Sequence, residues 1–198
     1  MLPLGFHKRA EPAARAAMAA HLQGKYWEYE KVLFENKRNL EDKDFEAYAE
    51  RLDLDVAQWK KDFASPTVRA NVEHQARLAG ALGVRGTPNF FVNGENVRGA
   101  KPYDDFKVVI DRKLEEAKKL EAQGVPADKL HGRLTATAVG GKYKRYVIDG
   151  ATPPEKAAAA PKKPKEPLAS KVVELTIGDS PRKGKGDKVI ITEFSDFQ

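Results

Sequence analysis

The sequence predicts an α/β fold, a run of helices followed by a short hairpin and, much later, further strand-like segments. Three observations predict it. From Ala10 to Leu82 apolar residues recur at helical spacing. At Asn89 the pattern switches to period two around a tight-turn signal. β-Branched runs return only near the far end of the chain, after a stretch rich in Ala, Pro and Lys.

Residues 1–7 are short, apolar and turn-ended, which suits the end of a strand. Glu11-Pro12 opens a first helix, with proline tolerated in a first turn whose N–H groups lack partners anyway. Ala13, Ala16, Ala17 and Ala20 form a small-residue stripe, so a neighbour must approach closely. Gly24 breaks the pattern. A second helix follows from about Lys25 to Asn36, with Tyr26, Tyr29 and Leu33, beside Trp27 and Phe34, as its bulky core. Asp42 to Arg51 and Asp55 to Phe63 read as two short helices carrying Phe45, Ala49, Trp59 and Phe63. Ser65-Pro66 is a start signal, a capping hydroxyl followed by proline. Val68, Val72, Ala76, Ala79 and Leu82 then mark an amphipathic helix that Gly83 ends.

Asn89 to Val92 and Asn96 to Gly99 are short strands joined at Asn93-Gly94, a dipeptide that tolerates the positive φ of a tight hairpin. Lys101-Pro102 leads into a long helix reaching about Gln123, with Phe106, Val109, Ile110, Leu114, Ala117 and Leu120 inward. A helical turn covers Pro126 to Leu134. Lys142, Lys144 and Arg145 alternate with Tyr143 and Tyr146 in a basic-aromatic patch. From Ala151 to Pro167 almost no large apolar residue occurs, so the segment reads as a semi-extended linker. Val172 to Ile177 and Lys188 to Phe194 are strand-like, around a basic turn from Ser180 to Lys188.

The 198 residues are ample to bury a core, and a 41% hydrophobic, 32% charged composition is that of a folded, water-facing chain. The pI near 9.3 and net charge of +6 favour anionic partners without naming one. There is no cysteine, which excludes for this chain disulfides, thiolate metal sites and thiol nucleophiles. No apolar run approaches the roughly 18–20 residues of a membrane span, so no membrane partner is expected. Met1 to Ala10 lack the apolar run of a signal peptide, and the true beginning is expected to be missing unless the protein is cytosolic. His7, His21, His74 and His131 show no metal-ligand spacing, so helix-surface roles are expected and no metal or cofactor. The basic clusters at 142–145 and 182–188 belong to no recognisable nucleic-acid module, and no nucleic-acid partner is expected.

The most specific signal is Gly83-Val84-Arg85-Gly86-Thr87-Pro88-Asn89-Phe90-Phe91-Val92-Asn93-Gly94. A helix, a Gly-x-x-Gly bend, Thr-Pro and then a hairpin reads either as a loop around a cis-proline, which the pattern favours, or as a trans-proline that caps a strand, and Pro88 sits where a missing N–H costs little. With the preceding helices and the closing helix, the stretch from Pro3 to Gln123 resembles the DsbA-like branch of the thioredoxin superfamily, in the part that follows its active-site helix. His7-Lys8-Arg9-Ala10-Glu11-Pro12-Ala13-Ala14 resembles that family's lead into its helical insertion. Residues 172–198 resemble the family's beginning, an edge strand, a turn, a central strand from Val189 to Phe194 and Ser195-Asp196-Phe197-Gln198. The resemblance implies a thioredoxin-like mixed sheet with an inserted helical subdomain, and next in the family comes Cys-x-x-Cys, which this chain lacks.

The parts therefore run in reverse order. Residues 1–134 are expected to be the C-terminal part of such a domain, 135–168 a linker, and 169–198 the N-terminal strands of such a domain. A cut from a tandem protein explains this most simply; a circular permutation without the active-site helix is the other account. By resemblance, Thr87 and Pro88 would bind an extended polypeptide or a thiol/disulfide protein substrate. Glu193 stands on the central strand where the family places an acid, and burial there would raise its pKa and suit it to proton shuttling toward the thiols. The resemblance implies a thiol-disulfide oxidoreductase of the periplasm or another extracytoplasmic place, inactive in this chain. The alternative is a non-catalytic peptide-binding module. Without the missing helix, Phe194 and Phe197 are expected to be exposed. The 172–194 strands are expected to pair back onto the hairpin, or onto a second copy as self-association.

Overall fold

The computed structural model describes residues 1–142, 144–148, 150–154 and 189–197. These form two compact units, Met1–Ala76 with residues 195–197, and the described residues of Arg77–Ser180 with residues 189–194.

The first unit is helical. It contains α1 (Ala10–Leu22), α2 (Tyr26–Glu35), α3 (Asp42–Arg51), α4 (Val56–Ala64) and most of α5 (Pro66–Ala81). The alanine stripe does what its spacing implies. Ala13, Ala16, Ala17, Ala19 and Ala20 are wholly enclosed, which lets α2 and α4 close on the α1 backbone. That closeness is visible in one bond, from the Trp59 indole N–H to the Ala16 carbonyl at 3.2 Å. Trp59 stacks with Tyr29 at 6.1 Å and with Phe63 at 5.1 Å, and the Tyr29 hydroxyl donates to the Phe45 carbonyl at 2.7 Å. Each polar tip in this aromatic layer thus finds a backbone acceptor, so its rings are buried without an orphaned donor.

The helix starts follow local chemistry. Asp55 caps α4 by accepting from the Gln58 N–H at 2.9 Å. A reciprocal capping box between Glu41 and Asp44 opens α3. Ser65 Oγ accepts from the Val68 N–H at 3.1 Å with Pro66 as the first residue of α5, as the Ser-Pro signal predicts. Phe34, expected in the core, is 37% exposed at the α2 end.

Residues 1–7 are not a strand end. Their backbone is irregular, and instead the Leu2 N–H donates to the Ser195 carbonyl at 2.9 Å. Phe197 is also not exposed. It lies in the core of this unit, 1% accessible, with its ring 5.2 Å from Phe34.

The second unit holds a three-stranded antiparallel sheet in the order β2-β1-β3, formed by β1 (Asn89–Val92), β2 (Glu95–Arg98) and β3 (Ile191–Phe194). Asn93 and Gly94 take φ of 40° and 81°, the paired positive values of a two-residue hairpin turn, and the turn sets Asn89 opposite Arg98. On the other edge Asn89 faces Phe194 and Phe90 faces Glu193. The late strand thus does pair back onto the hairpin over Ile191–Phe194, with Val189 and Ile190 outside it and Lys188 outside the described residues. Asn93 locks the register, its Oδ1 accepting the Ile190 N–H and its own N–H donating to the Ile190 carbonyl, both at 2.7 Å. Phe194 is 3% accessible against Phe91, contrary to the expected exposure, because the pairing itself gives it a neighbour.

The helix α6 (Tyr103–Ala122) packs on β1, with Phe106 edge-on to Phe90 at 4.9 Å. Of its expected inward residues Ala117 is buried and the larger ones are half-buried. Lys113, missed by an apolar-stripe reading, is 2% accessible and held by Glu116 at 2.8 Å and Glu95 at 3.5 Å. α7 (Ala127–Thr135) follows, then short helical turns at Ala138–Gly141 and Lys144–Ile148 that bury Ala138 and Val147 inside the stretch read as linker. The expected strand Val172–Ile177, the basic turn 180–188, Tyr143 and residues 155–168 of the linker lie outside the described residues.

Candidate functional site

The helix α5 ends where Gly83 takes φ +80°, and the Val84 N–H returns to the Ala79 carbonyl at 2.9 Å. A residue with a side chain is strained at that φ, so glycine at this position is what turns the chain toward the sheet. Four residues on, the Thr87–Pro88 peptide bond is cis, and the Pro88 carbonyl accepts the Gly99 N–H at 2.9 Å. That bond ties the loop to the end of β2. Thr87 itself lies outside the ladder, and its backbone has no hydrogen-bond partner among the described residues.

Around this loop lies an open cleft of about 560 Å³, lined by Arg85, Gly86, Thr87, Pro88, Asn89 and Arg98 among others. The loop and the two strands of the hairpin line it together. Asn89 and Arg98 are cross-strand partners and so stand on one face of the hairpin. Asn89 is 3% accessible, and its Nδ2 has no acceptor among the described residues. Sequence reading passed over Asn89, Arg98 and Arg85. The signal was present in the Asn93-Gly94 turn, since a two-residue turn there dictates which residues face each other.

Thr87 and Pro88 are thus neighbours in the cleft, both half-buried. Glu193 is not one of its lining residues. It sits on β3 opposite Phe90, on the sheet face that α6 covers at Phe106. The expected burial of Glu193 is not met, because its side chain is exposed near the sheet edge. Enough protein still surrounds the carboxyl for desolvation to hold its pKa above the ordinary value.

A second constellation lies in the helical unit. The Asp196 side chain is 1% accessible, and its Oδ2 accepts from His7 Nδ1 at 2.7 Å and from the Leu4 N–H at 3.2 Å. His7 was expected on a helix surface; it precedes α1 and is tied to this carboxylate instead. His131 also departs from a surface role, being half-buried on α7, where loss of water pushes its pKa down to about 4. Among the described residues no group of three or more His, Asp or Glu side chains is placed to hold a metal ion.

A helical insertion, a Thr-Pro loop feeding a hairpin and a third strand antiparallel to its first strand define an α/β domain of the thioredoxin kind. Residues 2–111 match the family model of the DSBA-like thioredoxin domain, more than half of the chain, and the protein belongs to that family. The family is one of thiol-disulfide oxidoreductases, and this member has no cysteine.

Among curated proteins the chain is similar to Na(+)/H(+) antiporter NhaA 3 of Salinispora tropica, 38% identical over 104 residues, 52% of this chain and 16% of that protein. It is likewise 38% identical over 105 residues to Na(+)/H(+) antiporter NhaA 1 of Mycolicibacterium gilvum, 52% of this chain and 17% of that protein. With Na(+)/H(+) antiporter NhaA of Herminiimonas arsenicoxydans it shares 38% over 97 residues, 49% of this chain and 16% of that protein. The matches span about a sixth of the length of these relatives. Among the described residues no helix is long and apolar enough to cross a membrane. No solved structure matches the chain.

Proposed function

We propose that this chain carries the substrate-binding loop of a DsbA-like thiol-disulfide oxidoreductase, and that without a thiol pair it performs no disulfide exchange by itself. Thr87 and Pro88 are the binding residues, and Glu193 is the carboxyl that would move protons to and from thiols supplied elsewhere in a longer protein. The supporting observation is the unpartnered Thr87 backbone beside Pro88, among the residues that line an open cleft next to a strand. An extended peptide can satisfy such groups as a strand satisfies its neighbour.

Thiol-disulfide exchange proceeds by attack of a thiolate on a disulfide sulfur, forming one S–S bond as the other breaks. No residue of this chain supplies that sulfur. What its residues can do is hold a peptide against the loop and exchange a proton at the Glu193 carboxyl, whose raised pKa brings it nearer to working pH. We assign the longer protein to an extracytoplasmic place, as its family generally is, and read residues 1–134, 135–168 and 169–198 as two domain parts with a linker between. The absence of cysteine also favours a second reading, a module that only binds peptides.

Reduction of insulin by dithiothreitol in the presence of this chain is expected to run at the blank rate. An extended peptide is expected to bind it weakly, and Pro88→Ala to weaken that binding further. Accelerated reduction would contradict the first expectation, and binding indifferent to Pro88→Ala would contradict the second.

A further inference from the structure

The cleft beside Thr87-Pro88 offers more donors than a peptide backbone needs. Asn89 presents an almost fully buried amide nitrogen with no acceptor among the described residues. A buried donor without a partner is rare, and an acceptor brought by a ligand would satisfy it. Arg98, its cross-strand neighbour, is exposed and uses Nε on Asn96 Oδ1 at 3.3 Å, which leaves its terminal nitrogens toward solvent. Arg85 lines the same cleft and is exposed. Neither guanidinium pairs with a carboxylate among the described residues. Among the described residues no acidic side chain lines the cleft, Glu193 standing on the opposite sheet face beside Phe90, and Glu95 of the hairpin is already engaged by Arg112 at 2.5 Å and Lys113 at 3.5 Å. The cleft is therefore left with positive charge and a free amide donor, and with no acid to balance them.

We propose that this cleft selects extended peptides bearing an acidic side chain next to the segment that lies along Thr87-Pro88. Arg98 and Asn89 take the carboxylate, and Arg85 adds to the attraction. This rests on the reading of the Thr87-Pro88 loop as a peptide-binding loop, and adds to it a substrate class.

The test is calorimetric titration of the full chain at low salt with a short extended peptide containing a central Glu, and with the same peptide carrying Gln. The Glu peptide is expected to bind about tenfold more tightly, with Arg85→Gln and Arg98→Gln each removing roughly three- to fivefold of that preference. The preference is expected to shrink as salt is added. Both arginines are exposed, so neither change should disturb the fold. Equal affinity for the two peptides, with both weakened by Pro88→Ala, overturns the charge selection and leaves the peptide-binding loop standing. Selectivity that survives both arginine changes also overturns it. If neither peptide binds, the loop reading and the selection fall together.

Discussion

Asp196 holds a carboxylate in a place almost closed to water, and two donors keep it there, the Leu4 backbone N–H and His7 Nδ1. Removing the acceptor deletes two bonds and leaves two half-buried donors without their partner, so the loss exceeds that of a surface polar contact. Asp196→Ala is expected to destabilise the protein by about 1–3 kcal/mol in urea unfolding, and Asp196→Asn by less because one acceptor remains. Unchanged stability in both would show that the pair is not formed in solution. The pair was hidden from sequence reading, because its members lie far apart in the chain and a lone histidine or aspartate has no periodic signature.

His131 gives a second residue-scale expectation. Its pKa lies at about 4 in the fold, below the ordinary value, because burial penalises the charged ring. Between the two values the unfolded chain takes up a proton that the folded chain resists. The contribution is therefore full above the unfolded pKa of about 6.5, and lost as pH falls toward the folded value. Thermal melts at pH 7.5 and pH 5 should show a drop for the natural chain that is smaller in His131→Gln. An equal drop in both would place the acid sensitivity elsewhere.

At the scale of elements, the helices were the most legible. Ser65-Pro66, Asp55 and the alanine stripe each carry a local reason to be where they are, and α3 spans Asp42–Arg51 as its pattern implies. The stripe predicts a packing effect. Ala17 is fully enclosed where neighbouring helices meet α1, so Ala17→Leu must push them apart. A loss of about 1–3 kcal/mol is expected by chemical denaturation, and no loss would mean that the neighbouring helices do not close on α1 at this position. The hairpin was equally readable from Asn93-Gly94. The ends of the chain were not: residues 1–7 look like a strand because they are apolar, yet they bond to residues near the other end, a pairing that local pattern cannot anticipate. Lys113 escaped for a similar reason, since only the fold brings Glu95 to it.

At the scale of the molecule, motif order alone carried the family resemblance, because a Thr-Pro loop between a helix and a hairpin is a long, ordered pattern rather than one residue type. The candidate site was half legible. Thr87 and Pro88 announce themselves through that pattern, whereas Asn89, Arg85 and Arg98 become a site only when the turn pairs the strands and the cleft opens beside them. Phe194 and Phe197 were misread as exposed because a missing active-site helix suggested an uncovered sheet face. Pairing of β3 with β1 supplies Phe91 as cover for Phe194, and the helical core encloses Phe197.

The loop at Thr87-Pro88 is proposed above all to receive an extended chain. Titration of an extended peptide into isotopically labelled protein, followed by backbone amide shifts, examines this directly. The largest changes are expected at residues 85–89 and at Arg98 and Gly99, with α1 to α4 undisturbed. Changes centred on the helical unit, or none at any peptide concentration, would contradict it.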